Sequence, residues 1–139
     1  MIATCVQYER LQMASNAKST VYVVDDDAAV LGSLRFLLET DGFAVRTFKN
    51  GTALLNARSV GAADCYVIDY KMPDINGIDL VARLRKSNVN APVILITGYP
   101  DENIATRAAA AGVKDVILKP LLDENLIKQI RSAIQGRTS

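Results

Sequence analysis

The chain has 139 residues, a length typical of one domain, and half of its residues are hydrophobic, enough for a sizeable core. It contains no histidine, which excludes serine–histidine and cysteine–histidine catalysis, histidine metal sites and a phosphohistidine carried by this chain. The 16 basic and 15 acidic residues nearly balance, so charge does not indicate nucleic acid or an anionic membrane as a partner.

Short apolar runs and stretches of helical periodicity alternate along the chain. Residues 1–19 form a predicted flexible N-terminal tail, because residues 15–19 are small and polar. From residue 20 onward, β-branched or apolar runs predict strands at 21–24, 44–48, 65–68, 93–96 and 116–118. Helical spacing predicts helices over 30–38, 52–59, 77–84, 102–111 and 126–134. Gly112 is predicted to cap the fourth helix.

Five strands that alternate with five helices predict an α/β fold. Short connections of this kind are typical of a parallel sheet covered by helices on both faces. Right-handed crossovers leave few topologies for such a sheet. With no internal repeat in the sequence, we expect one domain over 20–139.

Polar side chains follow four of the predicted strands. In open α/β sheets, ligands bind beyond the carboxyl ends of the strands, where the strand order reverses. If the order is 2-1-3-4-5, the aspartates after strands one and three converge at that point. The residues at these strand ends are Asp25, Asp26 and Asp27, then Asp69, then Thr97 and Gly98, and finally Lys119 and Pro120.

Three convergent carboxylates need compensation. At ~5 Å and an effective dielectric near 20, each ionised pair costs about 3 kcal/mol. Lys119 offsets part of this cost, and a hard divalent cation with oxygen ligands would offset much of the rest. The pattern therefore predicts a site for an anion with its metal, or for phosphorylation of one carboxylate. Phosphoryl transfer depends on positioning and charge neutralisation, so the missing histidine does not argue against it.

Each of these motifs also has an ordinary structural explanation. An acidic cluster after a strand is often a helix N-cap, and Asp69 alone would belong to a turn. Thr97 alone is a strand end, and Lys119 alone is a surface lysine. Their joint occurrence at four strand ends favours a functional site.

Over residues 20–135 the sequence resembles the receiver domain of two-component response regulators. The resemblance rests on the motifs VVDDD, IDYKMPDING, LITG and KP. The spacing fits as well, with 43 residues from Asp26 to Asp69, 28 from there to Thr97 and 22 from there to Lys119. These motifs are most similar to those of the FixJ-type branch of the family. The resemblance implies a single doubly wound (βα)5 sandwich of the CheY-like type, with a five-stranded parallel sheet in the order 2-1-3-4-5.

The resemblance also implies a metal-dependent phosphorylation site. Asp69 would accept a phosphoryl group from a partner histidine kinase or phosphotransfer protein. Asp25, Asp26 and Asp69, with the backbone carbonyl of Lys71, would bind Mg²⁺ or Mn²⁺. The chain would then catalyse only its own phosphorylation and dephosphorylation, and would not be an enzyme acting on a separate substrate.

The remaining site residues follow from the same resemblance. Thr97 would bind the phosphoryl group and move toward it as a switch, and Lys119 would pair with a phosphoryl oxygen. The bond between Lys119 and Pro120 is expected to be cis, a form that only X-Pro bonds adopt cheaply. Asp27 is expected to cap the first helix.

Three positions set this chain apart within the resemblance. Val116 occupies the second switch position, where the family usually has a tyrosine or phenylalanine. Lys71 and Tyr99 occupy the two variable positions that tune dephosphorylation in the family. A bulky Tyr99 would shield the aspartyl phosphate from water, so we expect slow loss of phosphate.

The resemblance implies protein partners. The face formed by residues 102–118 is expected to bind a downstream protein or a second copy of the chain. FixJ-type regulators carry a C-terminal DNA-binding domain, and no such domain fits beyond Gly136, so we expect no direct nucleic-acid or membrane binding by this chain. It would be either a stand-alone receiver or a piece of a longer regulator.

Other functions remain open at this stage. Val116 allows a pseudo-receiver, an interaction module that signals without phosphate. A flavodoxin-like flavin site is disfavoured, because three aspartates after strand one would repel a phosphate. A dehalogenase-type phosphatase needs a second aspartate where Lys71 stands. Two cysteines, Cys5 and Cys65, are too few for a zinc site, and with no signal-like segment they suggest a cytoplasmic location.

Overall fold

A computed structural model describes residues 18–98, 101–119 and 124–138 of the chain. Almost all of the predicted N-terminal tail, residues 1–19, lies outside these ranges. The strands are β1 (Thr20–Val24), β2 (Ala44–Phe48), β3 (Cys65–Asp69), β4 (Val93–Thr97) and β5 (Asp115–Leu118). The helices are α1 (Ala28–Thr40), α2 (Gly51–Leu55), α3 (Gly77–Lys86), α4 (Glu102–Ala110) and α5 (Glu124–Thr138).

The five strands form one parallel sheet in the order β2-β1-β3-β4-β5, which confirms the predicted topology. Val24 pairs with Ile68 across β1 and β3, and Thr97 pairs with Leu118 across β4 and β5. The strands therefore end at nearly the same level. Successive strands are added toward one edge of the sheet up to β2 and toward the opposite edge from β3 onward. This switch point lies between β1 and β3, where the crevice for a ligand is expected.

Two apolar layers cover the sheet. Leu34 and Leu38 of α1 and Ile130 of α5 pack on one face, and Leu54 of α2 and Leu80 of α3 belong to the cluster on the other. Every residue of β3 and β4 is buried, as the continuous apolar runs predict. Burial of apolar surface on both faces is the main contribution to the stability of such a sheet. It lowers the free energy of the folded state by about 25 cal/mol for each Å² of apolar surface removed from water.

Two predicted helix caps are confirmed. The Asp27 side chain accepts hydrogen bonds from the backbone N–H of Ala29 at 2.9 Å and of Val30 at 3.3 Å, which satisfies free donors in the first turn of α1. Gly112 follows α4 with φ +91° and donates its N–H to the Ala109 carbonyl at 3.0 Å. Glycine is favoured there because a side chain is strained at this φ.

The second helix is shorter than predicted, and the expectation of helix to residue 59 is wrong. It ends at Leu55, and the Ala57 N–H then bonds to the Leu54 carbonyl in a tight turn. Ser59 is held by the sheet instead. The Tyr22 hydroxyl contacts its carbonyl and hydroxyl oxygens at 3.0 and 2.9 Å, and the Arg46 guanidinium also contacts its hydroxyl.

A partly buried arginine joins elements near the amino ends of β4 and β5. Arg85, in the last turn of α3, donates hydrogen bonds to the carbonyls of Val89 and Ala91, both at 2.8 Å, and of Gly112 at 2.9 Å. Burial lowers the pKa of this guanidinium from its ordinary value. All three acceptors are neutral, so Arg85 ties three chain segments together without a carboxylate.

Cys65, at the start of β3, is fully buried and packs as a small hydrophobic residue. Burial raises the pKa of its thiol to about 12. The thiol is therefore protonated at neutral pH and shielded from reagents.

Candidate functional site

Four strands deliver one polar side chain each to the carboxyl edge of the sheet. Asp25 follows β1 directly, Asp69 and Thr97 are the last residues of β3 and β4, and Lys119 follows β5. Backbone hydrogen bonds fix these ends, because the Asp25 N–H bonds to the Phe48 carbonyl at 3.1 Å and the Lys119 N–H bonds to the Thr97 carbonyl at 2.8 Å. All four side chains line an open cavity of about 690 Å³.

The cavity brings together the three aspartates that the sequence predicts to converge. Asp25, Asp26 and Asp69 each offer one carboxylate oxygen, and these oxygens lie within 4.8 Å of one another. Asp25 and Asp69 are buried, whereas Asp26 is exposed at the mouth. The ammonium of Lys119 lies 3.2 Å from Asp69 Oδ1 and 3.3 Å from Asp25 Oδ2. One cation thus faces two buried carboxylates.

The pKa values show that this compensation is incomplete. Burial, followed by the charge of Asp25, raises the pKa of Asp69 to about 6, although Lys119 opposes the shift. Burial also raises the pKa of Asp25, despite a hydrogen bond from the Asp27 N–H at 3.0 Å. Burial lowers the pKa of Lys119, but the two carboxylates outweigh it and raise the pKa overall. The cluster carries more negative charge than its lysine neutralises.

The donor set fits a hard divalent cation. Asp25 Oδ2 is buried, and its contact among the described residues is the Lys119 ammonium at 3.3 Å, which also lies 3.2 Å from Asp69 Oδ1. Two buried carboxylates that share one ammonium keep uncompensated negative charge, which a cation would offset. Three carboxylate oxygens match the ligands that Mg²⁺ and Mn²⁺ prefer, so the cluster could hold either ion.

The two predicted switch residues share a groove, but only Thr97 also lines the acidic cavity. Thr97 is buried and lines both the acidic cavity and a neighbouring open groove of about 330 Å³. Val116 is partly buried in β5 and lines that groove together with Ala105 and Leu118. The structure thus places Val116 beside Thr97 in the groove and away from the lining of the acidic cavity.

Lys71 lies exposed at the rim of the acidic cavity, two residues after Asp69. The predicted roles of Tyr99 and of a cis bond before Pro120 concern residues outside the described ranges.

Gly77 is under a packing constraint that the sequence pattern did not indicate. A Cβ atom on this residue would lie 2.6 Å from the carbonyl oxygen of Asp69 and 2.7 Å from Leu95 Cδ1. The Gly77 N–H also donates to the Tyr70 carbonyl at 2.8 Å. The start of α3 therefore packs directly against the backbone of the central aspartate. A glycine at the first position of a helix, after the Asn76 cap, is the local signal that could have indicated this contact.

Comparison with known proteins agrees with this arrangement. Residues 21–131 match the model of the family described as the response regulator receiver domain. The chain is 36% identical over 124 residues to the response regulator protein TmoT of Ectopseudomonas mendocina, covering 89% of this chain and 56% of that protein. It is 38% identical over 118 residues to the transcriptional regulatory protein FixJ of Bradyrhizobium diazoefficiens, covering 85% of this chain and 58% of that protein.

A solved structure gives the same result. The crystal structure of FixJ-N superimposes with a TM-score of 0.77 at 38% identity, covering 85% of this chain and 94% of that one. The chain spans little more than half the length of the curated relatives that it matches. Within the described ranges, every helix is too short or too polar to cross a bilayer.

Proposed function

The chain belongs to the family of response regulator receiver domains, and we propose that its Asp69 accepts a phosphoryl group from a partner histidine kinase or phosphotransfer protein. The observation that carries this proposal is the cluster at the sheet edge. Asp25, Asp26 and Asp69 offer oxygens within 4.8 Å of one another, with the Lys119 ammonium 3.2 Å from Asp69. The chain is a signalling protein, and its chemistry is limited to gain and loss of its own phosphoryl group.

The three carboxylates would hold Mg²⁺ or Mn²⁺, and the backbone carbonyl of Lys71 would add a fourth oxygen. When bound, the ion would neutralise the carboxylates and attract the phosphoryl oxygens. The support for this role is the pair of buried carboxylates, Asp25 and Asp69, that share one ammonium, together with the raised pKa of Asp69.

In the transfer step, a carboxylate oxygen of Asp69 attacks the phosphorus atom of the partner's phosphohistidine. An O–P bond forms, the P–N bond breaks, and its electron pair stays on the imidazole nitrogen of the partner. The ionised carboxylate is itself the nucleophile, so no general base is needed, which fits a chain without histidine. The Lys119 ammonium and the Thr97 hydroxyl would donate hydrogen bonds to the phosphoryl oxygens.

The output would pass through the 102–118 face to a downstream protein or a second copy of the chain. Thr97 lines both the acidic cavity and the groove beside Val116, so movement of this residue would change both. Leu118 is 48% exposed at the groove, a large apolar side chain available for contact. With valine at position 116, the signal would depend on Thr97 and on the shape of this groove rather than on an aromatic rotamer.

Labelling with acetyl phosphate and Mg²⁺ tests the proposal. We expect one phosphoryl group on wild-type protein and none on Asp69→Asn, with size-exclusion chromatography before and after labelling to detect a dimer. An established receiver domain, treated in parallel, is the positive control. If that control reacts and the wild-type chain does not, the chain is a pseudo-receiver that signals without phosphate. Label that persists in Asp69→Asn would refute the assignment of the site.

A further inference from the structure

The loop between β3 and α3, residues 70–76, carries the Lys71 carbonyl that is proposed to bind the metal. Its two ends are fixed by the backbone. The Tyr70 N–H donates to the Ile96 carbonyl of β4 at 2.8 Å, and the Tyr70 carbonyl accepts from the Gly77 N–H at 2.8 Å. These bonds close the loop at its base but leave its middle, residues 71–75, to be held by other contacts.

The middle of the 70–76 loop is bound to the first turn of α2. Asp74 Oδ2 accepts a hydrogen bond from the backbone N–H of Thr52 at 2.9 Å and another from the Thr52 hydroxyl at 2.6 Å. Slight burial raises the pKa of Asp74, but these bonds and the N–H of Ile75 outweigh it and lower the pKa to about 2. The carboxylate is therefore ionised at all physiological pH values, and the contact is a charge-assisted pair.

A second contact joins the same two segments. Ile75 packs so closely on Gly51 that a Cβ atom at position 51 would collide with Ile75 Cγ2. Gly51 is buried, and it is the first residue of a helix of only five residues. A helix this short has little stability by itself and is fixed mainly by its tertiary contacts. The contacts at Gly51 and Thr52 therefore hold α2 and the loop to each other.

We propose that Gly51, Thr52 and Asp74 are positioning residues for the metal site, because they fix the 70–76 loop in the conformation that presents the Lys71 carbonyl to the ion. This inference rests on the proposed Mg²⁺ site. Partners that orient a metal ligand contribute to affinity although they do not touch the ion, and their loss typically costs tenfold or more.

Isothermal titration calorimetry with Mg²⁺ alone, at neutral pH, tests the positioning role. Asp74→Ala removes both hydrogen bonds to Thr52, and we expect the dissociation constant for Mg²⁺ to rise about tenfold. Asp74→Asn keeps an acceptor oxygen but loses the charge that strengthens the bonds to Thr52, so we expect a smaller rise in the dissociation constant, of about threefold. A loss of the same size in both variants would mean that Asp74 acts through its charge, and the proposal would be overturned.

Glu39→Ala is the control. Glu39 is an exposed carboxylate of α1 that pairs with Arg35 at 3.2 Å and belongs neither to the 70–76 loop nor to its contacts with α2. We expect its Mg²⁺ affinity to stay within about twofold of wild type. Wild-type affinity in Asp74→Ala would overturn the proposal, since the contact would then stabilise α2 only. The thermal unfolding midpoint in EDTA, measured for each variant, separates lost stability from lost affinity.

Thr52→Val covers the case in which Asp74→Ala does not fold. It keeps the Asp74 charge and the Thr52 N–H bond and removes only the hydroxyl bond, so we expect an affinity about threefold weaker than wild type. Unchanged affinity in Thr52→Val would then overturn the proposal. If wild-type protein itself fails to bind Mg²⁺, the proposed function fails, and the positioning role fails with it. If wild-type protein binds Mg²⁺ and the variants bind it with the same affinity, the positioning role fails and the proposed function stands.

Discussion

The two ends of the sheet bury charge in opposite ways. Near the amino ends of β4 and β5, Arg85 donates to three neutral carbonyls at 2.8–2.9 Å, and its hydrogen bonds are made within the fold. At the carboxyl ends, the buried carboxylates of Asp25 and Asp69 share the single ammonium of Lys119. The guanidinium thus has acceptors for three of its N–H groups, whereas the two carboxylates keep uncompensated negative charge that a bound cation would offset.

The two ends should differ most in how the stability of the protein depends on pH. Burial raises the pKa of Asp69 from 3.8 to about 6, so between these values the folded state binds more protons than the unfolded chain. The free energy of unfolding therefore falls as pH rises from 4 to 7, by about 3 kcal/mol from this group in the absence of metal. Urea unfolding in EDTA at several pH values measures the fall.

Two controls accompany that measurement. Asp69→Asn removes the titrating group and should flatten the curve, and Mg²⁺ should do the same in wild type because it binds the ionised carboxylates. If the wild-type curve in EDTA matched that of Asp69→Asn, ionisation of the buried Asp69 would not destabilise the folded state.

Replacement of Arg85 should give the next largest effect. Arg85→Met keeps the packing of the side-chain stem but leaves three carbonyls without their donor, so we expect the free energy of unfolding to fall by about 2 kcal/mol. Mg²⁺ affinity should not change, because the guanidinium lies near the other end of the strands. Arg83→Met, at an exposed position of the same helix, is the control and should be nearly neutral. Equal losses in the two variants would contradict a specific role for Arg85.

Tyr99 is predicted to limit the access of water to the carboxyl end of the sheet. Tyr99→Ala should speed loss of phosphate from Asp69 by about threefold, because a bulky side chain two residues after Thr97 would exclude water. The decay of labelled protein after removal of acetyl phosphate measures it. An unchanged rate in Tyr99→Ala would remove this residue from the site.

The sheet and the acidic cluster could be predicted because local patterns determine them. Continuous apolar runs mark buried parallel strands, and residues that follow such strands share one edge, so convergence of Asp25 and Asp69 follows from strand order. The repulsion between them could also be foreseen, because it depends only on like charges meeting in a crevice. The structure then gives the sign of each pKa shift.

The contacts that fix the site could not be predicted in this way. Thr52 and Asp74 are 22 residues apart, and neither belongs to a periodic pattern that specifies its partner. The end of α2 was misplaced for a related reason. The stretch after Leu55 has ordinary helix-forming residues, but Ser59 is bound by Tyr22 from the sheet, a tertiary contact that overrides local propensity.

The burial of Cys65 provides a reporter of unfolding. Its thiol is fully buried, four residues before Asp69, with a pKa raised to about 12, so alkylating reagents reach it only when β3 leaves the sheet. In a Cys5→Ser background, the alkylation rate would therefore count opening events of the central sheet without a spectroscopic label. Comparison of that rate with and without Mg²⁺ would show whether the ion slows opening of the strand that bears Asp69.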